Sequence, residues 1–272
     1  MYPFAYPYSA SFARLAVDPE IPEEVPELLK DLLVGIQGIF ADNLLAIYLR
    51  GSLATGDFAP QTSDVDFFVV TEHKLLEADF ARLVAMHEQI ATLPNRYALD
   101  LEGTYIDRAS VRQFHPGERH PTISRHDRLA WYEHGSNWVL ERWMVREHGI
   151  ILLGPEPATL IDPITPGELQ EAVRLRLPDW VDWAKRPDDP EWQSGRSHKA
   201  YVVETMCRAL CAQATDTLQS KPRAVAWALA TLPEPWRTTV ERSQIWHTEQ
   251  TIDVSINPEV MRFIDWTSSQ CQ

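Results

Sequence analysis

No stretch of this chain approaches the ~20 consecutive apolar residues that a membrane-spanning helix needs, so no membrane partner is expected. Cysteine is scarce as well. The three present, Cys207, Cys211 and Cys271, form neither a disulfide framework nor a zinc-ligand spacing. Cys207 and Cys211 stand four apart and read as core-filling thiols of one helix. Residues 1–8 have no basic region and no small-residue cleavage pattern, so a signal peptide is not expected and a cytoplasmic location is. Their aromatics, Tyr2, Phe4, Tyr6 and Tyr8, are expected to pack as an arm on the fold. Basic residues are in deficit: 25 Lys and Arg against 39 Asp and Glu leave a net charge of −14. That balance disfavours nonspecific binding to a nucleic-acid backbone. It suits a cationic small molecule, whose arrival it would accelerate.

The chain does contain a compact polar motif. Leu49-Arg50-Gly51-Ser52 follows an apolar run, and Thr62-Ser63-Asp64-Val65-Asp66 leads into Phe67-Phe68-Val69-Val70. On a strand, residues i and i+2 share a face with Cα atoms roughly 6.5–7 Å apart. Asp64 and Asp66 therefore point the same way, and each can offer an oxygen to one Mg²⁺, a hard cation that takes carboxylate, water and phosphate ligands. Gly51 lets backbone approach a phosphate, and Ser52 adds an N–H and a hydroxyl. Two acids at i, i+2 can also mark a solvated strand face, and Gly-Ser can be only a turn. Here the residues after the acids are apolar on both faces, so the strand is expected to be covered on both sides. Carboxylates at its mouth then need a cation to offset repulsion and desolvation. A phosphate cradle beside metal-binding acids is the minimal apparatus of phosphoryl or nucleotidyl transfer.

Periodicity organises the rest. Apolar spacing predicts helices over 22–40 and 75–92, with strands near 45–50, 64–71 and 97–106, giving an α/β domain with a mixed sheet. Residues 108–128, rich in His and Arg, read as a loop over the site, with His115, His120 and His126 scattered on its surface. Ser136 and Gly149 bracket a helix over 137–148. Thr165-Pro166-Gly167-Glu168 is a capping box that opens a second domain. Helices are expected to about 183, then over 198–215, 221–231, 235–249 and 258–267, with no strand between them. The fold class is thus α+β, a mixed-sheet domain over 1–163 and an α-helical bundle over 164–272.

Gly-Ser followed by Asp-x-Asp resembles the nucleotidyltransferase superfamily signature, and more narrowly that of the aminoglycoside adenylyltransferases that modify streptomycin and spectinomycin. Leu101-Glu102-Gly103-Thr104 resembles the strand carrying that family's third carboxylate. Arg146-Glu147-His148-Gly149, Val203-Glu204-Thr205-Met206-Cys207-Arg208 and Ser220-Lys221-Pro222 follow in the family's order. The resemblance implies a polymerase-beta-like catalytic domain, ATP as co-substrate, Mg²⁺ held by Asp64, Asp66 and Glu102, and Glu102 as the base. Asp100, on the same strand face, lacks the family's setting and is expected to be a surface or supporting acid. Arg208 and Lys221 would bind phosphates, and Ser63 would contact the nucleotide. Asn137 stands where the family has an acid near the nucleotide, a departure in this chain. Asp188, Asp189, Glu191 and Trp192 are the candidates for a cationic acceptor, in a loop whose spacing departs from the family's. The implied activity is O-adenylylation of an aminoglycoside-like antibiotic by a monomer. The competing readings are transfer to a protein or RNA hydroxyl, or a nucleotide-binding protein without catalysis.

Overall fold

A computed structural model describes residues 9–272, so the aromatic arm expected from residues 1–8 lies outside the described residues. The chain divides into two compact units, Met1–Pro163 and Ile164–Gln272.

In the first unit, helices α1 (Ala10–Leu15) and α2 (Glu24–Phe40) precede strand β1 (Leu44–Leu49). The one-turn helix α3 (Gly51–Thr55), strand β2 (Val65–Thr71) and helix α4 (Glu77–Ile90) follow. Next come β3 (Leu101–Asp107), α5 (Arg108–Arg112), β4 (Arg119–Ile123), β5 (Ala130–Glu133), α6 (Asn137–His148) and β6 (Ile150–Leu153). The six strands form one sheet in the order β5-β4-β3-β2-β1-β6, in which β2 and β3 run parallel and the other neighbours antiparallel. Every residue of β2 is buried, as expected for a central strand covered on both faces. Val65, Phe67 and Val69 face α2, where Leu28, Leu29, Leu32 and Ile36 are fully buried at helical spacing. Phe68 lies on the opposite face, with its ring centroid 6.3 Å from that of Trp138 on α6. Gly103 of β3 is dictated by this core, because a Cβ there would sit 2.6 Å from the Phe67 ring.

Three expectations need correction. The third strand starts at Leu101 rather than 97, since residues 97–100 form a turn in which Tyr97 O–H donates to Pro60 O (3.0 Å). Residues 108–128 are not a loop throughout. Asp107 accepts from Ala109 N and Ser110 N and so starts α5, while β4 pairs with both β3 and β5. His120 is consequently buried rather than superficial, its ring centroid 4.6 Å from that of His134, and burial lowers its pKa. His115 and His126 are exposed. Ser136 stands at the α6 N-cap but makes no side-chain capping bond. The helix is secured instead by buried Arg142, which donates to Ser110 O and Val111 O and ties α6 to α5.

The second unit is helical: α7 (Pro166–Ala184), α8 (Arg196–Thr215), α9 (Lys221–Thr231), α10 (Trp236–Trp246) and α11 (Asn257–Gln270). The Thr165–Glu168 capping box is formed in both directions. One isolated bridge, Gly195 to Ile252, interrupts the all-helical pattern. Cys207 and Cys211 are buried in α8, as expected of core-filling thiols. No helix among the described residues is long and apolar enough to cross a membrane.

Candidate active site

The chain leaves β1 at Arg50, turns through Gly51 into α3, and returns on β2. The expected small-residue turn is thus the first turn of a short helix. Gly51 has φ +62°, and a Cβ on it would lie 1.9 Å from Asp66 Oδ2. Only glycine meets both demands, the left-handed backbone and the near contact with a carboxylate. Ser52 follows with its hydroxyl buried and without a protein partner, a polar atom that normally would be satisfied.

Asp66 pairs in register with Glu102 across the parallel β2–β3 ladder, so their side chains share a sheet face. Asp64, two residues before Asp66, joins them. Carboxylate oxygens of Asp64, Asp66 and Glu102 all lie within 4.8 Å of one another, the one such group of potential metal ligands among the described residues. Asp66 is 6% exposed. Burial raises its pKa well above the usual carboxylate range; Arg50 opposes that rise, and the neighbouring acids add to it. Glu102 is also shifted up by burial, against the pull of Arg50.

Asp100 goes elsewhere. It pairs with Arg125 Nε (2.6 Å) and faces His126 Nε2 at 3.3 Å. Ser63 closes the turn before β2, its hydroxyl accepting from Ala59 N (2.9 Å). Asn137 opens α6. On the same helix Glu141 accepts from Arg50 Nη1 at 2.7 Å. Neither Arg50 nor Glu141 was expected in the site. Arg50 directly precedes Gly51, but a basic residue at a strand end carries no signature of its own, and Glu141 lies 91 residues away in sequence.

In the second unit, Arg208 Nε donates to Gln219 O (3.0 Å), which anchors its guanidinium to the segment leading into α9. Lys221 is the first residue of α9, with its ammonium 4.5 Å from the centroid of the Tyr201 ring. Ser220 at the N-cap carries a buried hydroxyl with no protein partner. Glu204 does not pair with Arg208 across one helical turn; it is buried and meets His247 Nδ1 at 3.1 Å.

Of the acceptor candidates, Trp192 has no exposed surface. Its ring stacks on Trp183 with centroids 3.9 Å apart, and its carbonyl accepts from Lys199 Nζ (2.9 Å) and Asn257 Nδ2 (3.1 Å). It therefore presents no face to a ligand, because large aromatics at an element end gain more by burial. Asp189 accepts from Glu191 N (3.1 Å) and pairs with Arg186 (3.2 Å), so it caps the local turn. Asp188 and Glu191 are exposed.

Residues 36–108 match the nucleotidyltransferase domain family, and residues 159–269 match the family described as aminoglycoside adenylyltransferase, C-terminal domain. The chain is 22% identical over 238 residues to a spectinomycin 9-adenylyltransferase of Staphylococcus aureus, covering 83% of this chain and 84% of that one. It is 24% identical over 227 residues to an aminoglycoside (3'') (9) adenylyltransferase of Escherichia coli, covering 80% and 82%. Its fold superposes with a TM-score of 0.71 and 16% identity on a spectinomycin adenyltransferase from Enterococcus faecialis crystallised with ATP and spectinomycin, over 90% of this chain and 98% of that one. With the two domain families matched in order, the first of them around the Gly-Ser turn and the acidic cluster, this chain carries a nucleotidyltransferase domain and is an enzyme similar to the aminoglycoside adenylyltransferases.

Proposed function

We propose that the protein transfers AMP from Mg-ATP to a hydroxyl of a cationic, aminoglycoside-like antibiotic of the spectinomycin or streptomycin type. The observation that carries the reading is the convergence of Asp64, Asp66 and Glu102 beside the Gly51–Ser52 turn. An all-oxygen donor set of three carboxylates fits a hard divalent cation. The buried, partnerless hydroxyl of Ser52 beside the Gly51 turn fits a phosphate. Asp64, Asp66 and Glu102 would hold Mg²⁺, which when bound supplies charge to the triphosphate and screens the carboxylates from each other.

The chain's own residues account for the remaining steps. Glu102 takes the acceptor's proton at a carboxylate oxygen. The freed hydroxyl oxygen forms a bond to the α-phosphorus of ATP as the bond to pyrophosphate breaks. Arg208 and Lys221 bind the departing phosphates. Gly51, Ser52, Ser63 and Asn137 line the nucleotide.

Mass spectrometry of a panel of aminoglycosides after incubation with ATP and Mg²⁺ tests the reading. A mass gain corresponding to one adenylyl group, absent with Asp66→Asn, is the expected result. A panel without adducts, alongside labelling of a protein or RNA hydroxyl, would replace the acceptor class while keeping the transferase.

A further inference from the structure

Arg50 is the least expected member of the site. Its side chain is 6% exposed and it faces acids on three sides. Nη1 lies 3.0 Å from Asp66 Oδ1 and 2.7 Å from Glu141 Oε2, and Nη2 lies 3.4 Å from Glu102 Oε1. Its backbone N–H also donates to Asp66 O at 3.1 Å. Nε is buried with no partner, so the guanidinium is not placed to satisfy its own donors. It is placed to reach carboxylates. Asp66 and Glu102 are two of the three acids that converge at the proposed cation site, and Glu141, on a different element, is not among them.

We propose that Arg50 is a positioning residue whose guanidinium, clamped by Glu141, aligns Asp66 and Glu102 ahead of metal binding without competing for the metal's place. The inference rests on the metal-site reading above and assigns two residues that the domain families' motif does not include. Two like charges side by side, one of them buried, repel, and without a cation each would rotate away or be lost to protonation. A guanidinium bridging them fixes both rotamers through its planar fork. Left to itself it would settle fully between the two acids and oppose a divalent ion. Glu141 draws it back by the shortest contact of the three, 2.7 Å against 3.0 and 3.4 Å.

The distinction from a plain structural ion pair lies in how the protein responds to metal. Mn²⁺ binding, followed by calorimetry without nucleotide, and the rise in Tm on adding Mn²⁺ are the two readouts. Glu141→Gln should weaken Mn²⁺ binding by roughly three- to tenfold. Glu141→Asp keeps the charge but shortens the reach by one methylene, and should weaken it to a similar extent. In Arg50→Gln the metal-free protein should be less stable and its Mn²⁺-induced rise in Tm smaller than in the wild type, since ordering the two acids then falls to the ion and weakens its binding; a larger rise would show that the guanidinium competes with the metal and would overturn the proposal. Arg50→Lys should fall between, having charge but no fork. Wild-type affinity in Glu141→Asp combined with a loss in Glu141→Gln would reduce Glu141 to a simple charge and overturn the clamp. An unchanged Mn²⁺ response in Arg50→Gln would overturn the alignment role. If Arg50→Gln does not fold, the Glu141 pair decides. A wild-type protein with no Mn²⁺ response would instead sink the metal-site reading itself, an outcome distinct from the other two.

Discussion

Gly51 and Asp66 constrain each other: a methyl group on residue 51 would lie 1.9 Å from one Asp66 carboxylate oxygen and 2.7 Å from its Cγ. The glycine also holds φ +62°, where an alanine is strained by about 1 kcal/mol or more. Gly51→Ala should therefore push Asp66 out of register with Glu102 and cost activity beyond any loss of stability. The expected pattern is a drop of about 1–3 kcal/mol in denaturant stability and near-complete loss of pyrophosphate release at a temperature where the variant remains folded. Full turnover in a folded Gly51→Ala would show that the acids tolerate displacement.

Glu102 should dominate the acid limb of the pH–rate profile. Burial raises its pKa in the metal-free protein, and a base must be ionised to act, so kcat/KM should rise with pH as the carboxylate loses its proton. Glu102→Gln should remove that limb and lower turnover by ~10²–10⁴. Asp100→Asn should leave it in place, because Asp100 is engaged with Arg125 and His126. The same shifts set the sign of a stability effect. Asp66 and Glu102 bind protons more tightly folded than unfolded, so between the unfolded carboxylate pKa and their raised values the folded protein holds more protons. Metal-free stability from these groups is therefore full at low pH and lost as pH rises through that window. Thermal melts in chelator should show the decline, and Mg²⁺ should reduce it.

Much of this site was legible because its parts are local. Gly51, Ser52, Asp64 and Asp66 fall within sixteen residues, and a two-residue alternation fixes which side chains share a face. Glu102 follows from the next strand, whose parallel register with β2 no periodicity could fix. What escaped was long-range. Arg50–Glu141 joins residues 91 apart through the packing of a helix on the sheet. The short strands β4 and β5 escaped because the polar Arg119-His120-Pro121-Thr122 shows no apolar alternation and is held by its neighbours on both sides. Trp192 looked like a ligand platform only because sequence does not distinguish a stacked, buried indole from an exposed one.

Arg208 and Lys221 should govern nucleotide binding rather than the chemical step's proton transfer. Arg208 keeps its anchor on Gln219 O in the described structure, so its guanidinium is pre-oriented at little entropic cost. Charge-assisted hydrogen bonds to phosphate contribute about 1.5–3 kcal/mol each. Arg208→Ala and Lys221→Ala should each raise the KM for ATP by roughly tenfold or more, while the acid limb assigned to Glu102 stays where it was. Calorimetry with a non-hydrolysable ATP analogue checks the affinity directly. Unchanged affinity in both variants would remove the second unit from nucleotide binding.

The acceptor loop offers a sharper test than the net charge alone. Asp188 and Glu191 are exposed. Asp189 instead caps the turn through Glu191 N and pairs with Arg186. The two kinds of acid should separate experimentally. Asp188→Asn with Glu191→Gln should leave Tm unchanged and raise the KM for a polycationic acceptor, with kcat nearly constant, because exposed charges act on encounter more than on the bound complex. The same KM should climb with salt in the wild type, since such charges are screened within a Debye length of about 8 Å at physiological ionic strength. In the double variant that salt dependence should flatten. Asp189→Ala should do the reverse, costing about 0.5–2 kcal/mol of stability through the lost cap while changing the acceptor's KM less. If the double variant binds the acceptor as well as the wild type at every salt concentration, these acids do not meet the substrate, and the −14 net charge serves solubility alone.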